Sequence, residues 1–150
     1  MTADDGLDIL PRLAQLSAAL SRGRIAQQAI DATGLALDRP AISILTTLAT
    51  AGTPLRVGEL ADRMQVVGPH ATRQVQALEQ RGLVQRVADP TDKRASLIEL
   101  TPTGTEAAQT YLGTILGWFR EAIAEWPTQD RTDLGRLLGK LADDVTTRLT

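Results

Sequence analysis

Leucine and isoleucine return every three or four residues through Leu7, Leu10, Leu13, Leu16, Leu20 and Ile25, a rhythm that predicts one amphipathic helix over 7–31. Gly34 marks its end. Asp38 followed by Pro40 predicts an N-cap and first turn for a second helix carrying Ile42, Ile44, Leu45 and Leu48, closed by Gly52 to Pro54. Val57, Leu60 and Met64 predict a short third helix, which Val66-Val67-Gly68-Pro69 interrupts before a fourth over 69–81. Gly82 reads as a C-cap. LVQRV and ASLIEL then predict two short strands, with the polar-leaning residues 88–94 as a projecting loop between them.

Thr101 and Pro102 start a long helix that runs through Leu112, Ile115, Trp118, Phe119 and Ile123 to about Glu125. A last helix follows Pro127, with Leu134, Leu137, Leu138, Leu141, Val145 and Leu149 in one apolar stripe. The expected class is mainly α with a small β hairpin.

On a helical wheel of 69–81, Ala71, Val75 and Leu78 share one narrow face, whereas His70, Arg73, Gln76 and Ala77 lie opposite and Thr72 and Gln74 flank them. The apolar face is small at Ala71, as two closely crossing helices require. The polar face offers donors and acceptors suited to base edges and phosphates in a major groove, and Pro69 opens the helix where free N–H groups can meet a phosphate. Helix, tight turn, helix and basic hairpin, over 56–101, is the order of a winged helix-turn-helix.

Net charge and its distribution give different impressions. The whole chain is at −2, with a pI near 5.4. Residues 56–94 nevertheless carry seven basic and five acidic side chains, against four and five before them and five and eight after. A positive centre on an acidic frame suits contact with nucleic acid through one face.

Composition narrows the chemistry further. Zero cysteines remove disulfides, thiolate zinc sites and thiol redox sensing. One histidine leaves only scattered carboxylates for a metal, so no metal and no cofactor are expected. Neither a nucleophile with a base, nor convergent carboxylates, nor a phosphate-binding glycine loop is present, and Asp143-Asp144 reads as a polar helix face, so no catalytic residue is assigned. The start, MTADDGLDIL, has aspartates where a secretory signal carries positive charge, and no apolar run spans a bilayer, so the sequence predicts a cytoplasmic protein with no membrane partner. Length suggests one domain over 1–150.

The stretch ELADRMQVVGPHATRQVQALEQRGLVQRVADPTDKRASLIELTPTG resembles the winged-helix core of the MarR family of bacterial transcription regulators. The matching parts are Glu59-Leu60-Ala61, Thr72-Arg73, Leu78-Glu79 with Arg81-Gly82-Leu83-Val84, the wing Asp89-Pro90-Thr91-Asp92-Lys93-Arg94, and Leu100-Thr101-Pro102-Thr103-Gly104 leading into the next helix. The resemblance implies a winged-helix lobe over 38–101 flanked by dimerisation helices over 7–31 and 102–149. It implies a homodimer on a pseudopalindromic duplex; because a ligand that altered the spacing of two recognition helices would weaken both half-sites together, repression relieved by ligand is the expected mechanism. The resemblance matches Arg73 to the recognition-helix arginine, Lys93 and Arg94 to the basic pair of the wing, and Asp92 to the acidic residue that braces a wing arginine for the minor groove; with Pro69, His70, Thr72, Gln74 and Gln76 from the polar side of the helical wheel, these complete the expected DNA-binding residues.

The sequence departs from that family at the start of the recognition helix. Val67, Gly68, Pro69 and His70 stand where small hydroxyl residues are common, which predicts a helix start without a side-chain cap and a different base preference. Family members often bind small aromatic or phenolic effectors. Trp118, Phe119 and Trp126 are candidates to line such a site, though core or dimer packing is the simpler use for them, and with four aromatic residues in the chain any pocket is expected to be mainly aliphatic. The stripe over 134–149 is better explained by burial in a dimer than in a monomer core. The alternative to a DNA-binding regulator is a winged helix that binds protein instead.

Overall fold

A computed structural model describes residues 8–22 and 24–149. Its elements run α1 (Ile9–Arg22), α2 (Ile25–Ala32), α3 (Arg39–Ala51), α4 (Val57–Met64), α5 (Gly68–Gln80), β1 (Val84–Asp89), β2 (Asp92–Leu100), α6 (Pro102–Ala122) and α7 (Thr128–Leu149). The chain groups into two compact units, one up to Ile115 and one from Leu116 onward, with the boundary inside α6.

The predicted caps form at α3. The Asp38 carboxylate accepts the Ala41 N–H at 2.8 Å, Pro40 sits in the first turn, and Gly52 ends the helix at φ 67° with its N–H on the Leu48 carbonyl. The single helix expected over 7–31 is instead two, α1 and α2. The interruption falls beside Gly23 in the sequence, the residue with the weakest helix propensity in the run apart from Pro11. Its first position, Leu7, lies outside the described residues.

The hairpin is longer and its loop shorter than 88–94. Strands β1 and β2 pair antiparallel from Val84 opposite Leu100 to Ala88 opposite Ser96, and after an irregularity Asp89 stands opposite Asp92. Only Pro90 and Thr91 lie outside the strands. The cause is the Asp89 carboxylate, which accepts both the Thr91 N–H at 2.9 Å and the Thr91 hydroxyl at 2.8 Å and so folds the backbone back at once. Leu55 adds a short bridge to Ile98, with paired backbone bonds of 3.0 and 2.7 Å.

The core of the first unit lies where α3, α4, α5 and the hairpin converge. Ile44, Leu45, Leu60, Val75, Leu78, Leu83, Val84 and Ile98 are its largest fully buried side chains, and Ala107 and Ala108 join it from α6. Burying a branched aliphatic side chain of this size contributes about 1.5–3 kcal/mol each before conformational entropy is subtracted.

In the second unit, Trp118 and Phe119 meet edge to face with ring centroids 5.0 Å apart. Helix α6 ends at Ala122, short of the expected Glu125, and turns follow through Trp126. Pro127 lies just beyond and disfavours helical backbone at Trp126, the residue before it. Among the described residues, neither α1 nor α7 contains a buried side chain.

Candidate nucleic-acid interface

Arg56 takes the N-cap position of helix α4, and its backbone N–H donates to the Glu59 carboxylate at 2.9 Å, one half of a capping box. It ends at Gln65, the sole non-glycine with positive φ among the described residues, at 54°. That left-handed residue makes the tight turn into α5. Val67 takes the N-cap position of α5 with no side-chain bond, and its carbonyl accepts the N–H groups of His70 and Ala71.

Burial along α5 follows the helical wheel except at His70, which is half-buried rather than fully on the exposed face. Ala71, Val75 and Leu78 are buried, while Pro69, Arg73, Gln76 and Ala77 are exposed and His70, Thr72 and Gln74 are half-buried. Gln74 lines a small cleft with Ala36, Asp38 and Ala41, so its surroundings are partly those of the start of α3. An exposed face with a guanidinium and a primary amide about one turn apart can make bidentate contacts to purines and single contacts to phosphate.

Lys93 and Arg94 are both exposed on β2, in the stretch that has no partner residues on β1. Asp92 acts differently from the expected brace. Its carboxylate accepts the backbone N–H of Arg94 at 3.0 Å, fixing the strand rather than a guanidinium. A carboxylate two residues before an N–H reaches it through local geometry alone, whereas a bond to the guanidinium would have to order a long side chain as well.

The carboxylate that does hold an arginine is Asp89. It accepts Nε and Nη2 of Arg56 at 2.9 and 2.5 Å, in addition to both Thr91 donors. The Thr91 N–H, the Thr91 hydroxyl and the Arg56 guanidinium together lower its pKa to about 2, and Asp89 in turn raises that of Arg56. In the sequence Asp89 belongs to the wing and has no evident partner, and Arg56 carries no local signal. The Asp-Pro-Thr run is a turn signal, but nothing local points to an arginine 33 positions earlier.

Other polar links fix the hairpin to the helices. Arg86 donates to Glu79 at the end of α5 at 3.1 Å and to the Ser96 hydroxyl at 3.3 Å. The Thr101 hydroxyl donates to the Gly82 carbonyl at 2.6 Å and accepts the Gly104 N–H at 3.1 Å, capping α6 against the foot of the hairpin. A cavity of about 400 Å³ lies beside this junction, with Leu48, Ala49, Pro54, Glu99, Leu100 and Leu112 among its lining residues. Trp118, Phe119 and Trp126 are not among its lining residues. Among the described residues no cluster of His, Asp and Glu is arranged to hold a metal, and no helix is long and apolar enough to cross a membrane.

Comparison with known proteins places these features. The sequence profile of the MarR family matches residues 37–96. The uncharacterized HTH-type transcriptional regulator YxaD of Bacillus subtilis is 32% identical over 105 residues, which cover 70% of this chain and 73% of that protein. A MarR family protein from Bacillus stearothermophilus has a similar structure, with a TM-score of 0.77 at 22% identity over 97% of this chain and 99% of that one. A mutant of S. aureus MepR bound to an oligodeoxyribonucleotide matches with a TM-score of 0.61 at 18% identity, covering 89% of this chain and 97% of that one. These two structures share the fold. Profile, relative and fold agree: the chain belongs to the MarR family of winged helix-turn-helix transcription regulators, which is not a family of enzymes.

Proposed function

We propose that this protein is a cytoplasmic, sequence-specific duplex-DNA-binding repressor that acts as a homodimer and is released by a small effector. The observation that carries the reading is the division of α5 into a buried face of Ala71, Val75 and Leu78 and an exposed face bearing Arg73 and Gln76. The exposed face has no packing role, yet its groups are those that read major-groove edges. Pro69, His70, Thr72 and Gln74 surround it, and Lys93 and Arg94 supply a second basic contact on the wing. The MepR mutant that shares this fold is bound to an oligodeoxyribonucleotide.

Dimerisation is supported by the helices without buried side chains. In α1, Leu10, Leu13 and Leu16 are exposed, and in α7 so are Leu137, Leu138, Leu141 and Val145. Helical stripes of this kind are stable in water when another surface covers them, and a second copy presents the same stripes. Two recognition helices spaced about one turn of DNA apart, roughly 34 Å, would bind two half-sites together. An apolar or aromatic effector that changed this spacing would weaken both at once, and the cavity beside Leu48, Leu100 and Leu112 is a suitable place for one.

The test is selection of duplexes from a random-sequence pool by the purified protein, followed by binding measured at several salt concentrations. An enriched inverted repeat bound by two chains, with affinity falling steeply as salt rises, is the expected result. No enriched sequence, together with capture of a protein partner through the same helix, would favour the protein-binding winged helix instead.

A further inference from the structure

The geometry points to Arg56 as a positioning residue for the wing: by gripping Asp89 from the start of α4, it fixes Lys93 and Arg94 where they can reach DNA. This inference rests on the DNA-binding reading above. Asp89 is the one buried charged residue among those described, at 5% exposure, yet it lies at the end of β1 beside a two-residue turn. A carboxylate is costly to bury without partners, and here four donor contacts surround it: two from Thr91 and two from the Arg56 guanidinium.

The two ends of this contact have different roles. Thr91 belongs to the same turn, so its bonds shape the turn but cannot orient it against the helices. Arg56 belongs to the start of α4, which the Glu59 cap also holds. The hairpin end is therefore tied to the first helix of the helix-turn-helix by one fork of two bonds. The other links, among them Arg86 to Glu79, Leu55 to Ile98 and Thr101 to Gly82, act further down the hairpin or at its foot. Beyond Ala88 the strand pairing is irregular, and Lys93 and Arg94 sit in that irregular stretch. A wing end held by so few contacts needs the fork to keep its basic pair in one place.

Arg56 is itself 45% exposed, so a direct phosphate contact is the competing role. The two are separable on the full-length dimer. Arg56→Met is compared with wild type and with Arg56→Lys, alone and in a Lys93→Ala/Arg94→Ala background, on a duplex recovered by random-sequence selection. Amide hydrogen exchange over 88–95 is followed in the absence of DNA. The positioning role predicts exchange about tenfold faster in Arg56→Met at unchanged α5 protection. It also predicts affinity about tenfold weaker, little further loss once Lys93 and Arg94 are gone, and partial recovery in Arg56→Lys, which keeps the charge but not the fork.

Unchanged exchange in the wing would overturn the inference whatever happens to DNA binding. Losses that add fully to those of Lys93→Ala/Arg94→Ala, with a salt slope reduced by about one, would overturn it in favour of phosphate contact. A selection that enriched no duplex would instead remove the DNA-binding reading and this role with it, while the exchange data would still report whether the fork holds the wing.

Discussion

Gly104 lies so close to Leu83 that a Cβ on the glycine would stand 1.9 Å from the Leu83 carbonyl oxygen. No side chain can share that space, and the obstacle is backbone at the foot of the hairpin. The contact lets α6 leave Thr101 flush against the winged helix, with the Thr101 hydroxyl joining Gly82 and Gly104. Gly104→Ala should therefore destabilise the protein by about 3 kcal/mol, the upper range for overpacking. The unfolding midpoint should fall by roughly 6–12 °C in a thermal melt. Gly58→Ala in α4 is the control: nothing lies within 4 Å of its Cβ position, so it should be neutral or slightly stabilising.

Asp89 predicts an acid-sensitive component of stability. Its folded pKa of about 2 is below the ordinary 3.8, so the folded state favours the ionised form. The corresponding stability is fully present above pH 3.8 and is lost as the pH falls toward 2. Asp89→Asn should melt at a lower temperature than wild type at about pH 7, and the gap between the two should close between about pH 4 and about pH 2. A gap that stayed constant with pH would show that the ionised carboxylate is not what matters.

Helix α7 predicts a dimer that one charge can split. Leu141 is exposed on the stripe shared with Leu138 and Val145. Leu141→Glu should weaken self-association by about 2 kcal/mol or more, roughly 30-fold, because an unpaired carboxylate would enter the interface. Sedimentation at low micromolar concentration reads the shift toward monomer, with far-UV dichroism checking that the helices persist.

Arg73 predicts a loss confined to DNA. It is exposed on α5 and has no hydrogen bond or ion pair to the described residues, so Arg73→Ala should leave the fold and the dimer unchanged while costing about 1–3 kcal/mol of DNA affinity. If the cost is equal on all sequences the residue contacts phosphate, and if it relaxes one base position the residue reads an edge.

The parts of the fold legible in the sequence are those written in local periodicity. The two faces of α5 follow from Ala71, Val75 and Leu78 at helical spacing, and the α3 caps from Asp38 and Gly52. Non-local contacts were not legible. The hairpin loop is shorter than its polar residues suggest because Asp89 closes the turn on Thr91, and Arg56 joins Asp89 across 33 positions, a pairing no spacing rule encodes. Asp92 shows the same limit from the other side: its place in the wing was readable, but its partner, the Arg94 N–H and not a guanidinium, is a matter of backbone geometry. The stripe on α7 was visible as a pattern, while its exposure required the fold.

Whether the exposed faces of α5 and the wing bind a specific duplex is measured most directly by the affinity of the purified chain for a selected duplex against a scrambled one across a salt series. The expected result is two chains per selected duplex, at least about a thousandfold preference over the scrambled sequence, and a steep decline with salt. Equal, weak binding to both duplexes after an exhaustive selection would contradict it.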